Sequence, residues 1–270
     1  MDGTIERTQN GIAYETVGTG DRVVVALPGI GDTRSSYRRL APLLAKAGCR
    51  VYAMDLRGHG DSATGFESYT SEDIGDDVVA FLNEKNLDDV TVVGNSIGAA
   101  SAVHAAFHSP RVGRIVSLCG FVSDPPKFAL IRPMLGLMFA QPWGQAAWSR
   151  YRKTLFATSP ADMAQNQAEI AQNFREPARL RALRTMMCAS KSGIAARLGE
   201  VKVPALIAMG EKDPDFKDPQ AEAQRQAGLL GGQNSVVMIP AAGHYPQIEQ
   251  PEATAAAIDN FIGKAIGRGA

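Results

Sequence analysis

From Val23 onward the chain alternates short apolar runs with stretches of helical spacing, and this alternation constrains its fold more than any other feature. Val23-Val24-Val25-Ala26-Leu27 is a continuous β-branched run closed by Pro28-Gly29, the pattern of a parallel strand buried on both faces. Helical spacing over 37–47 stops at Gly48, a residue suited to a helix C-cap. The unit then recurs: strand 50–56, helix 74–86, strand 90–93, helix 97–107, strand 114–118. Strands joined by helices of this length form a parallel sheet with right-handed crossovers and helices on both faces. In front of this array, Asn10-Gly11 predicts a hairpin between two short strands.

The alternation lapses over 124–198, where only helical periodicity is present. Breaks at Pro133, Gly136, Pro142-Trp143-Gly144, Pro160 and Pro177 divide that stretch into about four short helices. Strand 204–209, helix 220–230, strand 235–239 and an amphipathic helix over 251–266 follow. The expected organisation is therefore one α/β core domain built from 1–123 and 199–270, interrupted by a helical cap at 124–198. A single large domain with an insertion accommodates 270 residues.

Hydrophobic residues make up 45% and charged residues 21% of the chain, enough to build a core without metals or disulfides. Cys49, Cys119 and Cys188 are far apart and form no metal-ligand cluster in sequence, so all three are expected to be buried apolar residues. The 28 basic and 28 acidic residues cancel, which argues against a nucleic-acid partner. Met1-Asp2-Gly3-Thr4 lacks the features of a signal peptide, and no apolar run approaches the ~20 residues of a membrane span. A cytoplasmic protein without membrane insertion is expected, either monomer or homodimer.

Chemistry concentrates at Gly94-Asn95-Ser96-Ile97-Gly98, between an apolar strand and an alanine-rich helix. A sharp strand-to-helix turn there would present Ser96 as a nucleophile at the carboxyl edge of the sheet. A serine needs a base, and four histidines are available. His104 lies roughly 12 Å down the following helix, at 1.5 Å per residue. The i, i+4 pair His104 and His108 has no accompanying carboxylate in sequence and is expected to have a packing or helix-terminal role. His59 is expected to be a turn residue. His244, just past the last strand in Ala241-Ala242-Gly243-His244, remains as the base. Its orienting acid should come from Gly210-Glu211-Lys212-Asp213-Pro214-Asp215, with Asp213 preferred over Asp215. Oxyanion donors are expected at Ile97 N–H, at the head of a helix, and at Ile30 N–H, with Gly31 the alternative.

These pieces resemble the alpha/beta-hydrolase family: Pro28-Gly29, Asp55-Leu56-Arg57-Gly58-His59-Gly60-Asp61-Ser62, the elbow at 94–98, Gly210 to Asp213, Gly243-His244 and Glu249-Gln250-Pro251. The chain order Ser, Asp, His is the order of that fold. The resemblance implies a mostly parallel, eight-stranded sheet with a cap inserted after the sixth strand. Many members have His-Gly where this chain has Pro28-Gly29. Family reactions range over esters, carbon–carbon bonds, halides and epoxides, and some members are receptors. Ser96 argues against the dehalogenase and epoxide hydrolase chemistries, which use aspartate at the elbow. The expected function is hydrolysis of a small to medium apolar carboxylic ester through an acyl-enzyme, with no cofactor and no metal. The alternatives are a carbon–carbon bond hydrolase of the meta-cleavage type, whose Gly-Asn-Ser elbow is similar, or a slow-turnover ligand sensor. Met134, Met138, Trp143 and Trp148 are the expected pocket residues, and an apolar ester is favoured over a charged metabolite; Arg132, Arg150, Arg152 and Arg175 could bind a carboxylate, but arginines on short helices are usually solvated.

Overall fold

A computed structural model describes residues 3–266, so Met1 and Asp2, part of the segment read for a leader, lie outside the described residues. Eight strands form one sheet in the order β1-β2-β4-β3-β5-β6-β7-β8. They are β1 (Glu6–Arg7), β2 (Ala13–Val17), β3 (Arg22–Leu27), β4 (Cys49–Met54), β5 (Val90–Asn95), β6 (Val112–Leu118), β7 (Ala205–Gly210) and β8 (Asn234–Ile239). β1 and β2 form the hairpin expected at Asn10-Gly11, and β2 joins β4 antiparallel. All later pairings are parallel.

Period-two alternation sends successive residues of a strand to opposite layers. In β3, Val25 and Leu27 enter the layer under α2 (Ser71–Glu84), α3 (Ile97–His108) and α9 (Pro219–Leu229), while Val24 and Ala26 enter the opposite one. That second layer is closed by α1 (Leu40–Lys46) and α11 (Pro251–Ile266). The helical stretch expected over 37–47 is split into a 3₁₀ turn, Arg34–Tyr37, and α1. Pro42 has no N–H to donate, which places it in the first turn of α1 and sets where that helix begins.

Between β6 and β7 the chain forms five α-helices, α4 (Phe128–Met138), α5 (Gly144–Thr154), α6 (Met163–Asn173), α7 (Pro177–Cys188) and the single turn α8 (Ser192–Ala195), and a 3₁₀ turn, Leu198–Glu200. Pro133 and Gly136 do not interrupt the first of these, contrary to the reading of the sequence. Gly136 is buried, and its carbonyl accepts a hydrogen bond from Arg184 Nε of α7 at 2.6 Å. Tertiary packing against α7 outweighs the local propensity of both residues. Phe139, Trp148, Ile170, Phe174, Leu180 and Leu183 give the insertion its own core. A last short helix, α10 (Pro246–Glu249), precedes α11. Among the described residues, no helix is long and apolar enough to cross a membrane.

Candidate active site

Ser96 stands between β5 and α3 with φ 55° and ψ −116°, a conformation outside the ordinary regions for a side chain. The turn is tight enough to forbid larger neighbours. A Cβ on Gly94 would lie 2.1 Å from the Gly98 backbone, and one on Gly98 would lie 2.8 Å from Leu27 O. Ser96 O accepts from Ala99 N and Phe121 N, which hold the turn from both sides.

His244 lies on the loop after β8 and Asp213 on the loop after β7. The imidazole Nδ1 and Asp213 Oδ2 are 2.9 Å apart, and both residues are buried. Asp215 Oδ2 is farther, at 3.7 Å, and its Oδ1 already accepts the Tyr151 hydroxyl at 2.9 Å. Burial pulls the His244 pKa down, but the Asp213 carboxylate, backed by Asp215 and Asp32, outweighs that pull and leaves it raised. Among the described residues, no hydrogen bond joins Ser96 Oγ to the imidazole. The two side chains line one cavity of about 270 Å³ beneath the insertion.

Ile30 and Ile97 line the same cavity. Their N–H groups donate to no acceptor among the described residues. Gly31 N–H is engaged, donating to His59 Nε2 at 3.2 Å, so of the two first-loop candidates only Ile30 presents a free donor. Cys119, Asp213 and His244 place one ligand atom each within 4.8 Å of one another. Burial, then the nearby Asp213 charge, pushes the Cys119 thiol pKa well up, so the sulfur is a neutral group that accepts Gly210 N–H at 3.2 Å. The ligand atoms of this set are already engaged, Cys119 Sγ with Gly210 N–H, Asp213 Oδ1 with Asp215 N–H and Asp213 Oδ2 with His244 Nδ1.

Residues 24–257 match the alpha/beta hydrolase family. The chain belongs to that family. This alpha/beta hydrolase is 26% identical over 258 residues to the karrikin insensitive 2 receptor IA of Petunia hybrida, covering 90% of this chain and 91% of the relative. It is 25% identical over 269 residues to a 2-hydroxy-6-oxononadienedioate/2-hydroxy-6-oxononatrienedioate hydrolase of Cupriavidus pinatubonensis, covering 95% and 92%. A solved thermophilic esterase from Thermogutta terrifontis superposes with a TM-score of 0.79 at 23% identity, over 94% of this chain and 93% of that one.

Several polar residues that the sequence left without a role support the alpha/beta hydrolase site. His59 is fully buried, and burial drives its pKa down to about 4. It is therefore a neutral ring that donates from Nδ1 to Arg57 O and accepts Gly31 N–H, bracing the first loop. Asn95 Nδ2 donates to both Leu118 O and His244 O at 3.0 Å, tying the serine turn to the base loop. Glu249 accepts Gly243 N–H and Tyr245 N–H on Oε1, and Ala157 N–H and Thr158 N–H on Oε2. Gly243-His244 followed by Glu249 was visible in the sequence, but the reach of the carboxylate to Ala157 and Thr158, some ninety residues away, was not.

Three expectations are corrected. Arg152 is not solvated: it is fully buried, bonded from Nε and Nη2 to Asp32 beside the first loop and from Nη2 to Asn166. His104 does have a carboxylate partner, Asp76 Oδ1 at 2.8 Å, contributed by α2 and so invisible in the local sequence. Cys188 is only partly buried, unlike Cys49 and Cys119.

Of the expected pocket residues, Trp148 lines the cavity, and its indole N–H donates to Gly31 O. Met134, Met138 and Trp143 are 55%, 39% and 50% exposed and lie on the outer side of the insertion. At about 100° per residue Met134 and Met138 share one apolar arc of α4 with Phe128, Ile131 and Leu135; the latter three line the cavity, and the two methionines lie toward its solvent edge.

Proposed function

We propose that this chain is a serine hydrolase that cleaves a small to medium carboxylic ester with an apolar body. The observation that carries the reading is the buried Asp213–His244 hydrogen bond, facing one cavity with Ser96 and two unengaged N–H groups. Ser96 Oγ attacks the carbonyl carbon while His244 Nε2 takes its proton. Asp213 holds Nδ1–H and stabilises the imidazolium. The carbonyl oxygen becomes an oxyanion between Ile30 N–H and Ile97 N–H, the latter at the positive end of α3. His244 then gives the proton to the leaving alcohol, and a water repeats the sequence to release the acid. Ser96 and the imidazole come into hydrogen-bond reach when substrate closes the site, as is common for sites described without ligand.

Residues 124–198 serve as the cap in this reading, and residues such as Trp148, Phe128, Ile131 and Leu135 enclose the acyl or alcohol chain. The three free thiols fit a reducing, cytoplasmic setting. Incubation with a short-chain aryl ester and with a serine-directed phosphonate tests the reading. Turnover with label on Ser96 is expected, and the absence of both overturns it. The similarity to a hydrolase named for a 2-hydroxy-6-oxo dienedioate, with the shared Gly-Asn-Ser elbow, supports one second reading, carbon–carbon bond hydrolysis. Loss of a dienol chromophore at a rate exceeding ester turnover would favour it.

A further inference from the structure

The cavity wall is apolar except for the reacting groups, two tyrosines, Asp215 and a single cation, Lys191. Lys191 is only 7% exposed. It stands immediately before α8, where the insertion returns toward the sheet, and its backbone N–H donates to Asp124 Oδ1 at 2.9 Å. Asp124 Oδ2 accepts the Ser190 hydroxyl, so both carboxylate oxygens at the start of the insertion hold the lysine's backbone segment and neither pairs with its ammonium. Among the described residues Lys191 Nζ makes no hydrogen bond and no ion pair. Asp215 is spoken for by Tyr151. Burial pulls the Lys191 pKa down and outweighs the opposing charges of Asp124 and Glu72. A largely buried lysine whose ammonium has no partner is costly, and an arriving anion relieves that cost.

We infer that Lys191 is the counter-ion of a carboxylate carried by the substrate, so that the ester taken by this site is a monoanion with an apolar body. This rests on the serine-hydrolase reading and names its substrate class. A single lysine among apolar walls matches one small charge, whereas a phosphate dianion would call for several donors. Arg152 does not line this cavity, and its Nε and Nη2 are bonded to Asp32 and Asn166.

The test compares half-esters of dicarboxylic acids, and acetate esters of hydroxy acids, with neutral isosteres of equal length. The wild-type protein is expected to prefer the anionic member of at least one pair by about tenfold or more in kcat/KM, the scale of a charge-assisted hydrogen bond. Lys191→Met should collapse that ratio and Lys191→Arg should retain part of it. No anion preference in either series, or an equal loss on anionic and neutral esters in Lys191→Met, overturns the inference. Calorimetric binding of glutarate to wild type and Lys191→Met keeps the question separate from turnover. If Ser96 takes no phosphonate label yet glutarate binds only when Lys191 is present, the hydrolase reading falls and the anion site stands. If glutarate binds neither protein or both alike, the anion site falls.

Discussion

His244 sits between two opposing pulls, and their balance makes a prediction in pH. Burial alone would lower its pKa, while Asp213 at 2.9 Å raises it beyond that loss. Because the charged form is the favoured one, the imidazole stays protonated, and unable to accept the serine proton, to a higher pH than an ordinary histidine. The acid limb of kcat/KM is therefore expected to have its midpoint above 6.5, and a midpoint below it would count against this assignment. In Asp213→Asn the limb should move to lower pH, since an amide does not stabilise the imidazolium. The same substitution should cost about 10⁴-fold in kcat, the scale known for losing the orienting acid of such a triad. Asp215→Asn should cost far less, because Asp215 stands at 3.7 Å and is already bonded to Tyr151. Steady-state kinetics on the two variants decides between them, and a larger loss at Asp215 would transfer the role.

At the scale of elements, the insertion joins the core both by apolar packing, with Ala182, Met186 and Ile194 in the layer under α2 and α3, and by buried polar ties. Arg152 of α5 and Asp32 of the first loop are both completely buried. Removing one partner of such a pair leaves an uncompensated charge, so Arg152→Met is expected to destabilise the protein by roughly 3–5 kcal/mol. Adding Asp32→Leu should restore much of the loss, since an apolar pair of similar volume avoids desolvation altogether. Denaturant midpoints of the single and double variants measure this, and a double variant no better than the single one would show that the pair contributes net stability. The exposed stripe of α4 shows why the sequence misassigned the pocket. Apolar spacing on a helix reveals an apolar arc, but which residues of that arc reach the cavity is set by neighbours the local sequence does not contain.

Across the whole molecule, what was legible is what periodicity and chain order encode. The strands β3 to β8, the hairpin before them and the elbow all follow from patterns within a few residues, and the family is shown. What was not legible depends on partners distant in sequence: Arg152 with Asp32, His104 with Asp76, His59 with the first loop. Of these ties, Arg152 with Asp32 joins the insertion to the core. The chain's two tryptophans, Trp143 and Trp148, both lie in the insertion, so their fluorescence reports it while far-ultraviolet dichroism weights the rest. The two unfolding curves are expected to coincide, and an earlier fluorescence transition would show that the insertion melts alone. Glu249 joins the two as well, since one of its oxygens serves the His244 loop and the other serves residues 157 and 158. A chimaera that imported foreign helices between the sixth and seventh strands would thus mismatch a carboxylate five positions beyond the base, and would lose catalytic aim before it gained a new pocket. Recombination that aims to change substrate preference must carry Glu249 together with 157–158, and Asp32 together with Arg152, as co-inherited pairs.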